Sequence, residues 1–502
     1  MLRTLLPELD RAAGSPLAGQ IAGFYAQAIH DGRLRAGDRL PPIRQIARVC
    51  DVTRATVQDA YHQLAEQGLV EGIVGRGTTV IDAPGSPPAA DSAAASRSFS
   101  PYAEAALRRT QEMPGAPPLP NGRALVANFA ELAPDGERFP VDDWRAAMDA
   151  VLQQRGAELL GYGNATSGLP ELRAMLAERE REPEGDLRIG PDDVLVTAGA
   201  QQALDLALRT FCAPGDSVVV TAPSYHQMHG LLRAHGLQVV PVSFGADGLD
   251  LDRLERVLQR DGVRLVYLMP TFHNPTGRSL DLAARRALVE VLARTAVPVV
   301  EDEYQSSLRF RGSVLPTLRS LDPRGLTVTV ATVSKDLFPA LRIGWVVASQ
   351  DLLRPMAAVK RFMDLETSPL LQAALVEFVR RGSFDRYLGD LKLELRRRHA
   401  ALQKAARAHL PEGCSITDPD GGFIAWIELP EAGQGDRLAE LAIERGVRVV
   451  PGCVFDLSGQ PSRGVRLSLT RADSNQIAAG MRVLGQCARE LLSAPVPARS
   501  FL

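Results

Sequence analysis

Lys335 is set apart by scarcity and by position. The chain holds 57 lysines and arginines, yet only four are lysines: Lys335, Lys360, Lys392 and Lys404. The last three sit in helical stretches rich in Glu and Arg, the ordinary setting of a solvated ammonium. Lys335 instead follows a β-branched run, Thr327–Val333, and precedes a loop that ends Leu341-Arg-Ile-Gly-Trp345. A lysine just past a strand end, with Arg342 following in the next loop, can hold an aldehyde cofactor as a Schiff base. Taken alone, the same pattern fits a surface turn lysine.

Other residues with usable chemistry also fall where β-like runs end, the place where α/β sheets put ligand sites. Thr197-Ala-Gly-Ala-Gln-Gln-Ala-Leu204 closes a strand and opens a helix. Backbone N–H groups at a helix start bind phosphate, and small residues let it approach; read alone, the segment also fits an ordinary strand–helix turn. Tyr225, in Pro223-Ser-Tyr225, can stack on a flat heteroaromatic ring or sit in the core. His273-Asn-Pro-Thr-Gly277 is a turn that can aim Asn274 as a donor. Glu301-Asp-Glu-Tyr304 ends another strand. A carboxylate in a partly buried pocket needs a cationic partner, and a protonated pyridine nitrogen is one that Asp302 can meet. Thr332 and Ser334 flank the lysine, and Arg342 can grip a phosphate through two parallel bonds as lysine cannot. His226 and His229 form a His-x-x-His pair with no carboxylate at metal spacing, so no metal site is expected.

These residues need a sheet to hold them. β-branched runs recur at Val194–Thr197, Val218–Thr221, Val239–Val242, Leu265–Met269, Val297–Glu301, Val328–Thr332 and Ile343–Ala348, and helical stretches such as Gln201–Phe211 and Leu282–Arg294 separate most of them. Strands alternating with helices predict a large, mainly parallel sheet of seven strands covered on both faces. A long charged helix, Ser383–His409, and a shorter α/β region predict a smaller domain from about residue 370. Before this body, residues 82–123 are rich in Pro, Ala and Ser and read as a linker, with a short helix near Tyr102–Arg109. The expected division is therefore 1–81 head, 82–123 linker, 124–490 body and 491–502 tail.

Composition bounds the function classes. A chain of 502 residues exceeds one core. A hydrophobic share of 45% with 23% charged residues reads as globular. The net charge of −2 advertises no nucleic acid or membrane globally, so any such site must be local. Five scattered cysteines without a Cys-x-x-Cys pair point to a reducing compartment. No signal-peptide pattern and no apolar run of the roughly 18 residues that a spanning helix needs are present, so a cytoplasmic protein without a membrane partner is expected.

The local basic site lies in the head. Arg33, Arg35, Arg39, Arg44, Arg48 and Arg54 stand against Asp38 and Asp51, the kind of patch that phosphate contacts require. A helix over Ile43–Val49, a short turn, and a second helix capped by Thr53 make a helix-turn-helix, in which Arg54 and Thr56 would meet base edges. Gly75-Arg-Gly77 with Thr-Thr-Val80 fits a hairpin wing. Charge alone fits a helical dimerisation module equally well.

In order and spacing, the body motifs resemble the fold-type I pyridoxal-phosphate enzymes of the aspartate-aminotransferase-like group, over about residues 125–490. The resemblance implies that Lys335 is the Schiff-base lysine and Asp302 the partner of the pyridine nitrogen. It makes Tyr304 and Asn274 the pair at the ring 3-hydroxyl and Tyr225 the stacking aromatic. Gly199, Ala200, Gln201, Thr332, Ser334 and Arg342 form the phosphate cup. Tyr162, in Gly161-Tyr-Gly-Asn-Ala-Thr-Ser-Gly168, resembles a tyrosine that reaches the neighbouring subunit's site. Arg466, in Gly464-Val-Arg-Leu-Ser-Leu469, resembles the arginine that takes a substrate or effector carboxylate.

The head resembles the GntR-type winged helix-turn-helix, an α+β fold, with Leu40-Pro-Pro-Ile-Arg44 departing from the Leu-Pro-Ser-x-Arg signature at its serine. On that resemblance Arg44, Thr53, Arg54, Thr56, Tyr61, Arg76 and Gly77 are the candidate DNA contacts. Head, linker and body together resemble the MocR/GabR subfamily of bacterial transcription regulators. This implies pyridoxal phosphate as cofactor and a double-stranded DNA operator as partner. It also implies a homodimer, of which a head-to-tail swapped form is one arrangement. An amino compound, or pyridoxal phosphate itself, would act as effector through an aldimine at Lys335. The alternative is an active aminotransferase of amino acids with an appended DNA-binding head. Asn274 and Arg466, both kept as in active aminotransferases, leave that alternative open.

Overall fold

Apolar residues at helical spacing build the head. Leu17–His30 (α1), Ile43–Val49 (α2) and Arg54–Glu66 (α3) turn Ile21, Tyr25, Ile46, Val57, Tyr61 and Leu64 into one core. Thr53 caps α3, its hydroxyl accepting from the Thr56 N–H at 3.2 Å. The N-cap of α2 is Pro42, which has no side-chain acceptor to offer, so the departure from the serine signature costs that helix a capping bond. Val70–Ile73 (β1) and Gly77–Val80 (β2) pair antiparallel as a hairpin. Arg76 lies outside the described residues.

Tyr61 is a correction to the expected DNA contacts. It is buried, its ring stands edge-on to Tyr25 with centroids 6.0 Å apart, and its hydroxyl donates to the Pro41 carbonyl at 2.7 Å. It ties α3 to the entry of α2 and does not face solvent.

The structure is a computed structural model that describes residues 7, 9, 11, 16–31, 33, 34, 37–73, 77–81, 99–112, 124–163, 165–181, 189–260 and 262–493. The chain forms two units, Met1–Ser98 and Phe99–Leu502. The second opens with Pro101–Glu112 (α4), Ala127–Asn128 (β3), Val141–Leu159 (α5) and Pro170–Arg179 (α6). Strands and helices then alternate. They run Val194–Thr197 (β4), Ala200–Phe211 (α7), Ser217–Ala222 (β5), His226–Ala234 (α8), Gln238–Gly245 (β6), Gly248–Leu249 (β7) and Leu251–Leu258 (α9). Next come Val263–Leu268 (β8), Leu282–Ala293 (α10), Val299–Asp302 (β9), Leu318–Leu321 (α11), Thr327–Thr332 (β10) and Gly344–Val347 (β11).

The large sheet has the order β4-β11-β10-β9-β8-β5-β6-β7. Its centre, β10 through β6, is parallel. The seven expected strands are there, with the two-residue β7 added at one edge. The sheet is mixed, because β11 runs antiparallel to both β10 and β4. The reason is the connection. Parallel strands need a crossover of about a dozen residues or more, usually a helix, and the segment between β10 and β11 holds only a short 3-10 turn at Pro339–Leu341. Successive residues of β5 point to opposite faces: Val218 and Val220 join one core and Val219 the other. Both faces are covered, which is why these strands read as continuous apolar runs.

The remaining elements are Gln350–Asp364 (α12), Pro369–Arg380 (α13), Ser383–His409 (α14), Ser415–Ile416 (β12), Ile424–Glu428 (β13), Gln434–Glu444 (α15), Val447–Arg448 (β14), Val450–Pro451 (β15), Gly464–Ser468 (β16) and Ser474–Ser493 (α16). A four-stranded sheet, β12-β13-β16-β15, carries a separate core. The expected start of this smaller domain near residue 370 needs correction. Ala373, Leu375 and Phe378 of α13 pack in a core of the large sheet, as do Leu388 and Leu395 of α14. The second core takes up α14 only at Leu402, and it draws in Ala127 and Phe129 from the start of the body. No helix among the described residues is long and apolar enough to cross a membrane.

The Tyr61 hydroxyl bond generates the first prediction. Tyr61→Phe keeps the ring and leaves the Pro41 carbonyl without its donor, so it destabilises the head by about 1 kcal/mol. Urea unfolding followed by far-ultraviolet circular dichroism measures the loss.

Candidate functional site

The C-terminal ends of β4, β5, β8, β9 and β10 open onto a cavity of about 160 Å³. Of the expected site residues, Ala200, Gln201, Tyr225, Asn274, Asp302, Tyr304, Thr332, Ser334, Lys335 and Arg342 all line it. Leu132, Leu204 and Met269 supply apolar wall. Arg466 borders it through its bond to Asn274, and Gly199 through its close approach to the Arg342 guanidinium. Tyr162 does not line it: it lies on the loop between α5 and α6 and is 83% exposed.

Asp302 ends β9 and is buried. One carboxylate oxygen accepts from the Tyr267 hydroxyl at 2.7 Å, and the other, Oδ1, is buried with no partner. Burial pushes the acid up to about 6, against the Tyr267 bond, the backbone N–H of Tyr304 and the charge of Lys335. A dry carboxylate with one open oxygen is a strong site for a cationic donor.

Lys335 projects from the loop after β10, and Nζ donates to the Leu132 carbonyl at 2.7 Å. Burial pulls its ammonium down to about 8, and the charges of Arg466 and Arg342 push the same way. Asp302 opposes them.

The anion-binding end is built on close backbone approach. Arg342 sits in the left-handed region at φ 51°, and its guanidinium donates to the Ala198 carbonyl at 3.2 Å. Gly199 holds φ 86°, a region that favours glycine, and a Cβ there would come within 2.5 Å of Arg342 Nη2 and displace the guanidinium. Ala198 is held from its other side, its N–H donating to Gln202 Oε1 at 2.6 Å. Thr332 and Ser334 lock the floor, the Ser334 N–H donating to the Thr332 hydroxyl at 3.1 Å.

Arg466 approaches from β16 and is buried. It donates to the Ala130 carbonyl at 2.9 Å and to Asn274 Oδ1 at 3.3 Å. Its Nε has no partner, and burial draws its pKa down to about 10. The guanidinium lies over the Phe455 ring, 5.0 Å from the centroid. Next to it, Thr470 donates to the Glu131 carbonyl at 2.7 Å.

Three contributors escape the sequence. Tyr267 is an aromatic inside an apolar run, and its signal is a polar tip in a strand that neighbours the Asp302 strand. Leu132 meets Lys335 through its carbonyl, and a main-chain group leaves no sequence signal. Gln305 follows Tyr304 and donates to its hydroxyl at 2.5 Å.

In the head, Arg44, Thr53 and Arg54 are exposed and Thr56 is half-buried at the start of α3. The Thr53 and Thr56 hydroxyls bond each other at 2.8 Å. Gly77 opens β2. The α2-turn-α3 pair is the geometry in which a second helix presents its first residues to a major groove. Among the described residues no group of His, Cys, Asp or Glu is arranged to hold a metal ion.

Head and body thus define a DNA-binding module joined to an aminotransferase fold. Residues 17–80 match the bacterial regulatory proteins of the gntR family, and residues 126–483 match aminotransferase class I and II. The chain belongs to the aminotransferase class I and II family, with a GntR-type regulator head fused before that domain. It is 29% identical to the probable rhizopine catabolism regulatory protein MocR of Rhizobium meliloti, over 95% of this chain and 94% of that one. It is 33% identical to the 2-aminoadipate transaminase of Thermus thermophilus, over 74% of this chain and 92% of that one. The crystal structure of alpha-aminoadipate aminotransferase LysN from Thermus thermophilus, complexed with N-(5'-phosphopyridoxyl)-L-leucine, matches with a TM-score of 0.69 and 32% identity, over 79% of this chain and 99% of that one. The match to MocR spans head and body, the arrangement of the MocR/GabR regulators, and the body is a fold-type I aminotransferase fold. That family implies pyridoxal phosphate as cofactor.

The lowered Lys335 pKa is directly measurable. In cofactor-free protein its acylation rate rises with a midpoint near pH 8, and Arg466→Gln, which removes a like charge, moves that midpoint upward. Acetic anhydride labelling with peptide mass spectrometry reads both. A midpoint at the ordinary lysine value of 10.5 contradicts the burial argument.

Proposed function

We propose that this chain is a cytoplasmic transcription regulator that binds pyridoxal phosphate at Lys335 and reports an amino compound to a double-stranded DNA operator. The observation that carries the cofactor reading is the buried, unpartnered Oδ1 of Asp302, a residue that lines the cavity with Lys335. The Gly199 cradle under Arg342, which a Cβ would fill, supports the same fit. Bound pyridoxal phosphate supplies an aldehyde that condenses reversibly with amines and a pyridine nitrogen that accepts a proton.

The chain's own residues do the rest. Asp302 would hold the proton on the ring nitrogen, and Tyr225 would support the ring face. Tyr304 and Asn274 would serve the ring hydroxyl. Arg342, Thr332, Ser334 and the residues Gly199, Ala200 and Gln201 at the start of α7 would take the phosphate. With its pKa near 8, Lys335 is a free amine in roughly a tenth of molecules at neutral pH, enough for exchange with another amine. Arg466 would meet an effector carboxylate through Nε. An effector that took the place of Lys335 would shift the chain only as far as its affinity differs between two states.

A homodimer fits the surface. Tyr162, Leu160 and Phe362 are 83%, 70% and 92% exposed. The Glu366 carboxylate accepts from the Gly163 N–H at 2.8 Å and the Ala165 N–H at 3.1 Å, which joins the Tyr162 loop to the end of α12. Large apolar residues exposed together suit a second copy, which Tyr162 would enter. Arg44, Thr53, Arg54, Thr56 and Gly77 would face the operator, and Arg76, outside the described residues, is proposed with them. A second reading, that the body also transaminates, is favoured by Arg466 beside Asn274. The match to MocR over both head and body weighs toward regulation.

Two measurements test this reading. Full-length protein mixed with pyridoxal phosphate develops a visible absorbance band that Lys335→Ala abolishes; a wild type that takes up no cofactor would sink it. Arg54→Ala weakens operator binding by about tenfold or more in a salt titration and leaves the band unchanged.

A further inference from the structure

Gln305 is a neutral side chain, 1% exposed, between the eight-stranded and the four-stranded sheets of the body. Its Nε2 donates to the Tyr304 hydroxyl at 2.5 Å and to the Phe272 carbonyl at 2.9 Å. Its Oε1 accepts from the Phe423 N–H at 3.1 Å. Tyr304 in turn donates to the same Phe272 carbonyl at 3.1 Å. All polar atoms of the amide are engaged, and the pattern fixes its orientation: the NH2 end faces Tyr304 and the oxygen faces Phe423.

Phe423 leads into β13. That strand pairs with β16, where Trp426 stands opposite Arg466. The loop before it lies tight on Gln305, since a Cβ on Gly422 would fall 2.9 Å from the Gln305 amide carbon. The same small sheet therefore carries the guanidinium at the cavity and the N–H that holds Gln305.

We propose that Gln305 is a positioning residue: it sets the donor strength of Tyr304 and ties that hydroxyl to the strand pair bearing Arg466. A hydroxyl that accepts a hydrogen bond donates more strongly in the next one. Gln305 thus makes Tyr304 a better donor: to the Phe272 carbonyl that it serves in this structure, and, under the proposed cofactor reading, to the ring 3-oxygen that would take that proton from Phe272. The inference rests on that reading. A movement of β13 and β16 on ligand binding at Arg466 would be felt at Tyr304 through one side chain. The other charged and titratable groups that face Tyr304 are Asp302, Arg466 and Tyr225, with Lys335 on the same cavity.

The test uses full-length protein reconstituted with pyridoxal phosphate. A weaker Tyr304 donor stabilises the ring oxyanion less. Gln305→Leu therefore moves the pH midpoint of the visible band upward by about 0.5–1 unit. In a Tyr304→Phe background the same substitution moves it no further, because the hydroxyl it acts through is gone. In cofactor-free protein, Gln305→Leu also speeds hydrogen exchange at the Phe423 amide by about threefold to tenfold. If Gln305→Leu does not accumulate as folded protein, Gln305→Asn, one methylene shorter, carries the same expected signs. An unchanged midpoint, or a shift that persists without the Tyr304 hydroxyl, overturns the inference while the cofactor reading stands. Unchanged Phe423 exchange overturns the tie to the small sheet. A wild type without any visible band removes the cofactor reading and this inference together.

Discussion

A carboxylate kept out of water governs the body. Asp302 sits at the end of a central parallel strand, with Tyr267 bonded to one oxygen and nothing on the other. Desolvating a carboxylate is costly unless a positive partner completes it. The fold meets half of that demand from the neighbouring strand β8 and leaves the other half unmet in a residue of the cavity wall. The parallel order of β8, β9 and β10 makes this possible, because their C-terminal ends all arrive at the same rim.

Around that acid the charge is unbalanced in the opposite sense. Lys335, Arg342 and Arg466 converge at the cavity; burial lowers the lysine's pKa, and repulsion from the two arginines lowers it further. Three cations facing one acid make a cavity that favours anionic ligands. Arg342 and Arg466 approach from different sheets, so two anionic groups are met separately. A molecule with a phosphate at one end and a carboxylate partner at the other matches this layout.

Much of this was legible from residue order. The seven strands read clearly because a sheet buried on both faces is apolar along its whole length. Asp302, Tyr304, Lys335 and Arg342 stood out because charged or polar residues at the ends of such runs have few structural reasons to be there. Tyr61 was misread, although its spacing from Val57 and Leu64 places it on the inward face of α3. The boundary of the smaller domain was misread because α14 serves two cores without any change in composition. Gln305 and Leu132 stayed invisible for a different reason. One is a neutral amide and the other a main-chain carbonyl, and neither carries a charge or a motif.

The carbonyls of Ala130, Glu131 and Leu132 accept in succession from Arg466, Thr470 and Lys335. Three neighbouring peptide groups near the start of the body are thus moored by three side chains, two on or beside the small sheet and one at the cavity. When Lys335 spends its amine elsewhere, the last mooring is cast off and the Leu132 carbonyl loses its donor. The Ala130 and Glu131 carbonyls keep their donors, and the Glu131 side chain stays paired with Arg471. The state of one nitrogen atom thus decides whether the Leu132 carbonyl keeps its donor.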